Sequence, residues 1–291
     1  MVGKGISNEP MPPKSSRILR FATLTVAAVS LFFPVAAQAQ EVISVNPQAT
    51  YLHTNIDPAA LPAAAIDLSE LGLQPGDPIR LDRLGAFDAG SGFTNQQSMV
   101  GVFSSTADLA PSSEAHRVPG AVEAGAEVET RRTFNPSPTG EPTDIPEDFA
   151  ITGTGTVVTI PTGAQFLFVS PNDSYFTDNS DLEGDYAVRI TLLDTDRDGV
   201  LDDVDHCLPS DTRVSVDTGS GPTSVPNEVD AHGCTLQDYV NAYQAGAKNH
   251  GQYVSAITHF ANELARQGVI SGSQKGELVS GAARSNIGKK H

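Results

Sequence analysis

The sequence lacks tryptophan and has few charged residues, which make up 18% of its 291 residues. Glycine and proline are frequent instead, with 26 and 20 residues. This composition is typical of a β-rich exported protein rather than of a helical enzyme. The length is sufficient for about two domains of roughly 150 residues each.

Basic residues are also scarce. The chain has 18 lysine and arginine residues against 35 aspartate and glutamate residues, and its formal net charge is −17. An acidic surface of this kind argues against nucleic acid and anionic membranes as partners, because both carry negative charge. It is compatible with simple solubility and with cation binding.

Sequence patterns for catalysis are missing as well. The chain contains no GxSxG, GxGxxG, P-loop or HExxH pattern, so no nucleophile and base can be named. Its carboxylates cluster in calcium-like patterns, where an ion would keep them ionised and unsuited to general acid chemistry. We therefore expect a protein that is not an enzyme.

Residues 1–39 predict a secretory signal. A start with two arginines precedes the apolar run Phe21 to Val35, and Ala37-Gln38-Ala39 forms a small-x-small cleavage site. A membrane anchor is the alternative, but the run is shorter than the usual span of about 20 residues and is broken by Pro34. Cleavage would leave a mature chain that begins at Gln40, carries a net charge of −20 and is periplasmic or extracellular.

The mature chain divides into three segments by pattern. Residues 40–193 predict a β-sandwich, residues 194–234 a calcium-binding connector and residues 235–291 a three-helix unit whose first helix is capped by Thr235. Residues 110–146 predict a long loop, and residues 217–229 also look loop-like. The predicted strands are Glu41 to Val45, Ala49 to Asn55, Ala65 to Leu68, Pro78 to Leu84, Ser98 to Ser104, Gly155 to Pro161, Ala164 to Ser170 and Asp185 to Leu193.

The two cysteines, Cys207 and Cys234, lie 27 positions apart. In an exported chain they most simply form a disulfide that closes an Asp-rich loop. A zinc site is the rival hypothesis, because His206 precedes the first cysteine and His232 lies two positions before the second.

The segment from Asp194 to Asp205 has the spacing of an EF-hand-like calcium loop. Such a loop takes ligands from positions 1, 3, 5, 7, 9 and 12, with glycine at position 6 for the tight turn. Gly199 occupies position 6 here. The predicted ligands are Asp194, Asp196, Asp198, the carbonyl of Val200, Asp202 and Asp205. The alternative is a solvated acidic linker.

The stretch from Asp194 through Cys207 also matches the pattern DxDxDGxxDxxDxC. It resembles a thrombospondin type 3 repeat, a short unit that wraps around calcium. The resemblance implies a connector that calcium makes rigid, with a disulfide near the metal. Repeats of this family normally occur in several copies, whereas this chain shows one clear copy.

A second resemblance covers about residues 73–192. The features that carry it are Gln74-Pro75-Gly76-Asp77-Pro78, Gly85, Gly90, an apolar strand leading into Asn172-Asp173, the pair Asp178-Asn179, and Tyr186-Ala187-Val188-Arg189-Ile190. Together these features resemble the calcium-dependent galactose-binding lectins of the PA-IL (LecA) type. The resemblance implies a jelly-roll-like β-sandwich in which calcium contacts both protein and sugar.

Residue by residue, the resemblance implies a second calcium site. Its ligands would be Asp173, Asp178, Asn179 and the carbonyls of Thr177 and Ala89, and the sugar would bind around Asp173, Asp178 and Asn179. The histidine and glutamine that contact the sugar in the family have no match here, and the loop before Asp178 is two residues shorter.

The sequence therefore predicts an exported calcium-binding protein with a lectin-like carbohydrate-binding module. Its partner would be a carbohydrate or a cell-surface glycan. The alternative is a structural or adhesion protein in which calcium only makes the chain rigid.

Overall fold

The structure is a computed structural model that describes residues 40–54, 57–90, 92–125 and 143–289. The predicted signal segment 1–39 and residues 126–142 of the predicted long loop lie outside this part. The described chain forms two compact units, one with residues up to Asp203 and one from Val204 onward. The boundary falls inside the segment that we predicted as a connector.

The first unit is built from short strands. In chain order they are β1 Gln40–Ser44, β2 Ala49–Thr50, β3 Leu61–Pro62, β4 Ala65–Asp67, β5 Pro78–Leu84, β6 Asp88–Ala89, β7 Val100–Ser104, β8 Ala121–Val122, β9 Phe149–Ala150, β10 Thr156–Thr159, β11 Phe166–Ser170, β12 Asn179–Ser180 and β13 Ala187–Leu192. One antiparallel sheet has the order β1-β13-β5-β10, and a second has the order β4-β11-β7-β8 with β9 also paired to β7. Two small pairs, β6 with β12 and β2 with β3, complete the unit.

The core lies between the two larger sheets. Strand β13 contributes Val188 and Ile190, and strand β11 contributes Leu167 and Val169 to the same cluster of buried side chains. These residues alternate with neighbours on the other face, as the period of two in a strand requires. The predicted mainly β, β-sandwich-like fold is therefore confirmed.

The second sheet is covered on its outer face as well. Phe168 of β11 and Val102 of β7 pack there in a separate cluster with Tyr51 and Leu52. The predicted strand from Ala49 to Asn55 is mostly wrong, because only Ala49 and Thr50 form a strand within the described residues 49–54; Asn55 lies outside the described part.

A side chain satisfies part of the polar backbone of this covering segment. The guanidinium of Arg117 donates to the carbonyls of Thr50 and Leu52 at 3.0 and 2.8 Å, and the Thr50 carbonyl also accepts from the Ala63 N–H at 3.1 Å. Because Arg117 provides a donor for the Leu52 carbonyl, the chain can cross the sheet face beyond β2 without pairing as a strand.

The second unit combines a hairpin with helices. Its elements are β14 Ser215–Asp217, β15 Pro222–Pro226, α1 Leu236–Gly246, α2 His250–Arg266 and α3 Gly272–Arg284. Thr235 and Asp238 form a reciprocal capping box at the start of α1, as predicted. No helix among the described residues combines the length and the apolar character needed to cross a bilayer.

The three predicted helices are present, and the hairpin corrects the prediction that residues 217–229 are loop-like. Residues 217–229 looked loop-like because glycine, serine and proline dominate them, yet β15 lies within this stretch. Val216 and Val225 are completely buried and share one core with Tyr253, Ile257 and Leu278 of the helices. The helices thus share their core with a small two-stranded sheet. Each of its strands has a single valine, which is too little apolar pattern to predict a strand from the sequence.

Candidate metal centres

The first candidate centre is the turn that carries three alternate aspartates. One carboxylate oxygen from each of Asp194, Asp196 and Asp198 lies within 4.8 Å of the others. Gly199 follows with φ at +95°, a conformation that side chains disfavour. The glycine predicted for position 6 therefore allows the turn that brings the three carboxylates together.

The protein only partly satisfies these carboxylates. Asp194 Oδ2 accepts from the Gly199 N–H at 3.0 Å, and Asp198 Oδ1 accepts from the Val200 N–H at 2.8 Å. Asp194 Oδ1 is buried and has no hydrogen-bond donor in the part of the chain that the structure describes. Burial raises the pKa of the Asp194 carboxyl above its ordinary value, and the charge of Asp196 adds to the rise.

The one basic residue of this turn contacts a different carboxylate. Arg197, with φ at +60°, forms an ion pair with the buried carboxylate of Asp77 at 2.8 Å and donates to the Gly72 carbonyl at 2.7 Å. Its guanidinium is therefore engaged with the sandwich. A bound cation would add positive charge beside the three clustered carboxylates.

The remaining predicted ligands of this loop have different surroundings. The side chain of Val200 is buried. Both carboxylate oxygens of Asp202 accept from Thr195, from its N–H at 2.7 Å and from its hydroxyl at 2.5 Å. Asp205 belongs to the second compact unit, where it accepts from the Cys207 N–H at 2.7 Å. The structure thus brings the first three aspartates together and gives Asp202 a local bonding role.

The second candidate centre lies at the pairing of β6 with β12. Ala89 is directly opposite Asn179 in this antiparallel pair. A Cβ added at Gly90 would collide with the carboxylate of Asp178, so that carboxylate lies against the glycine backbone. Two chain segments that are about 90 residues apart in sequence are therefore neighbours.

Two oxygens of this centre are buried without a donor among the described residues, namely Asp173 Oδ2 and Asn179 Oδ1. Asp173 Oδ1 accepts from the Ser174 N–H at 2.6 Å, and Asn179 donates its amide N–H to the Pro47 carbonyl at 2.9 Å. Burial raises the pKa of the Asp173 carboxyl; the backbone N–H of Ser174 and the Asn179 side chain oppose this, and Asp178 adds to it. A bound cation would satisfy the two oxygens and stabilise the charged carboxylate.

Two residues that position this loop were missed by the sequence analysis. Asp57 Oδ2 accepts from the N–H groups of Phe176 and Thr177 at 2.7 and 2.9 Å. Gln48 donates from its amide to the carbonyls of Thr177 and Asn179, both at 3.1 Å. Neither residue belongs to a recognisable pattern, and both are about 120 or more positions away, so no sequence signal pointed to them.

A polar groove of about 670 Å³ lies next to β6. Its lining residues are Arg83, Leu84, Gly85, Ala86, Asp88, Thr94, Asn95, Gln97, Gly153, Glu183 and Asp185. Two aromatic side chains of the first unit are exposed, Phe93 at 67% and Tyr175 at 43%. The groove offers the amide, hydroxyl and carboxylate groups that hydrogen-bond to a polar ligand.

Cys207 and Cys234 form a disulfide, with their Cα atoms 5.0 Å apart. The disulfide prediction is therefore confirmed. The rival zinc site that uses both thiolates is wrong, because oxidised sulfurs are not available as thiolate ligands.

The clustered carboxylates of Asp194, Asp196 and Asp198 could hold a metal ion, and oxygen ligands of this kind suit a hard cation. The second centre offers the buried oxygens Asp173 Oδ2 and Asn179 Oδ1, which have no donor among the described residues. Comparison with protein-family models, with curated proteins and with solved structures found no match.

Proposed function

We propose that this chain is an exported calcium-binding protein whose β-sandwich acts as a lectin-like carbohydrate-binding module. The observation that carries the proposal is that buried oxygens without a donor occur on predicted ligands in the described chain: Asp173, Asn179 and Asp194. An unsatisfied buried oxygen is costly, and a cation removes that cost. The same residues were selected from sequence patterns alone.

Calcium suits these centres better than other common ions. It takes about six to eight oxygens in irregular geometry, whereas magnesium requires a near-ideal octahedron. The sites offer carboxylate and amide oxygens on turns, and the described residues of either centre include no sulfur or imidazole ligand. Oxygen ligands of this kind are typical of hard cations.

A carbohydrate is the ligand class that we propose for the centre at β6 and β12. Asp178 is exposed there, so water or hydroxyl groups can reach an ion bound by it. Neighbouring hydroxyls of a sugar ring can replace two waters of a calcium ion. The polar groove beside Asp88 would give such a sugar additional hydrogen bonds. A periplasmic or extracellular location, compatible with the disulfide, would bring the module into contact with cell-surface glycans.

A glycan array tests this proposal, with the chain probed in calcium, in chelator, and as the Asp178→Ala variant. We expect binding to at least one saccharide that is lost in chelator and in the variant. Glu70→Ala is the matched control, since it removes an exposed acid of the same unit that lies outside the predicted ligands and the groove. Absence of calcium-dependent binding to any saccharide would overturn the lectin function.

A structural role is the second candidate, and one observation favours it. Asn179 is only 2% exposed and its amide is hydrogen-bonded to the Pro47 carbonyl, so an ion bound there would lie mostly inside the sandwich. In this case chelation lowers the melting temperature while no saccharide raises it. The two measurements therefore separate the candidates.

A further inference from the structure

Two histidines lie side by side on the surface of the second unit. The ring centroids of His206 and His232 are 5.0 Å apart, and the ring planes differ by 22°. Both residues are exposed. Neither ring makes a hydrogen bond with any residue that the structure describes, so the nitrogens of both imidazoles are available to a ligand.

The backbones beneath the two rings are held in place. The His206 N–H donates to the His232 carbonyl at 2.8 Å, and the neighbouring disulfide joins Cys207 to Cys234. Asp230 Oδ1 accepts from the His232 N–H at 2.8 Å and from the Cys234 N–H at 3.1 Å. The two side chains therefore start from fixed positions, which lowers the entropic cost of bringing both onto one ion.

The separation of the rings fits chelation by both imidazoles. Zinc binds an imidazole nitrogen at about 2.0–2.1 Å, which places the ion about 3.2 Å from the ring centre. Two rings at a tetrahedral angle then have centres about 5.2 Å apart. The two rings are stacked as they stand, with centres 5.0 Å apart and planes 22° apart, so they must turn about their side-chain bonds to aim one nitrogen each at the ion; exposed rings so close together can do this.

We propose that His206 and His232 form a binding site for a borderline divalent transition-metal ion, with Zn²⁺ as the representative ion. Imidazole nitrogen suits zinc, copper and nickel, whereas calcium prefers oxygen. The site differs from the thiolate site excluded above, because both sulfurs are in the disulfide. Water completes the coordination shell of the ion, so the site is open to a further ligand.

Calorimetric titration of Zn²⁺ into the full chain tests the proposal, with calcium present in excess to occupy the carboxylate centres. We expect one zinc site that weakens about tenfold or more in His206→Asn and in His232→Asn, since even the loss of a residue behind a ligand costs about 10–100-fold. The loss in the double variant should be smaller than the sum of the two single losses, because each single change already removes the benefit of chelation. His259→Asn, which removes another exposed histidine of the same unit, should bind zinc like the unchanged chain.

An unchanged zinc affinity in either ligand variant would overturn the site and leave the ring contact as simple packing. NMR provides a measurement that needs no variant: zinc should shift the imidazole signals of His206 and His232 together and leave His259 unaffected. Separate shifts, or none, count against the proposal. Because calcium is saturating throughout, failure here has no bearing on the calcium sites or on carbohydrate binding.

Discussion

Arg197 donates two hydrogen bonds to the carboxylate of Asp77, from Nε to Oδ1 at 2.8 Å and from Nη2 to Oδ2 at 3.0 Å. The two residues are 120 positions apart. Asp77 is buried, while the arginine side chain is 38% exposed. The pair anchors the aspartate turn to the sandwich by holding the Arg197 guanidinium on the Asp77 carboxylate.

We predict that Arg197→Gln lowers the free energy of unfolding by about 1–2 kcal/mol, because a buried carboxylate loses its charged donor. The arginine side chain is partly exposed to solvent, which screens the ion pair and keeps the loss of stability in this range. Urea denaturation of the calcium-free chain measures it. Asp77→Asn completes a double-mutant cycle. The loss of stability in the double variant should be well below the sum of the two single losses.

Arg213→Gln is the matched control. Arg213 pairs with Asp211 at 2.8 Å, but both side chains are more accessible to water. An exposed pair of this kind contributes about 0–1 kcal/mol. An effect as large as that of Arg197→Gln would show that the burial of Asp77 is irrelevant.

Asp198→Ala should weaken calcium binding at the aspartate turn and leave the sandwich centre unchanged. The change removes one of the three clustered carboxylates. Calorimetry with calcium should show the loss of one of two sites. Asp203→Ala is the control. It removes an exposed acid outside the cluster, so this variant should retain both sites.

Asp173→Ala should have the opposite selectivity. It removes a partly buried carboxylate of the sandwich centre, so calcium and any saccharide binding should be lost there while the turn at Asp194 still binds calcium. Calorimetry on both variants forms a crossed comparison. If each variant abolished both sites, the two centres would not be independent.

Asp57→Ala should loosen the loop that carries the sandwich centre. Three donors lose their acceptor at once, namely the N–H groups of Phe176 and Thr177 and the Thr177 hydroxyl. Each buried donor left without a partner costs about 1–3 kcal/mol, so a total loss of at least about 2 kcal/mol is expected. Thermal unfolding measures the loss, and amide hydrogen exchange at Thr177 should become faster.

Replacing both cysteines with serine should lower the stability of the second unit by about 2–4 kcal/mol, the usual range for a disulfide that closes a loop of this length. Cys207 and Cys234 are 27 positions apart. Amide hydrogen exchange in α2, which lies in the second unit, reports on it selectively. A stability equal to that of the unchanged chain would mean that the helices and the hairpin suffice.

Much of the fold could be predicted from local patterns. Strand β5 has the predicted bounds, and the predicted helix cap at Thr235 agrees with the structure. The strand has strong alternation and the helix has a capping residue, so residues close in sequence determine both elements. The strand predicted from Ala49 ends early, and Arg117, far along the chain, provides the donor for the Leu52 carbonyl beyond it.

The candidate sites likewise contain some residues that the sequence predicts and others that it does not. Spacing alone selected Asp194, Asp196 and Asp198, because residues two apart on one tight turn are neighbours whatever the rest of the chain does. Asp57 and Gln48 could not be found in this way. Their contacts with the loop at Thr177 exist only because distant segments pack against each other.

By itself the sequence determined the mainly β composition, the helix caps, the cysteine pair and the aspartate turn, since each depends on residues close in sequence or on simple counting. Only the tertiary structure decided that Arg197 pairs with Asp77, that Asn179 lies opposite Ala89, and that His206 lies beside His232. The physical reason is that burial and long-range pairing depend on how whole sheets and helices pack.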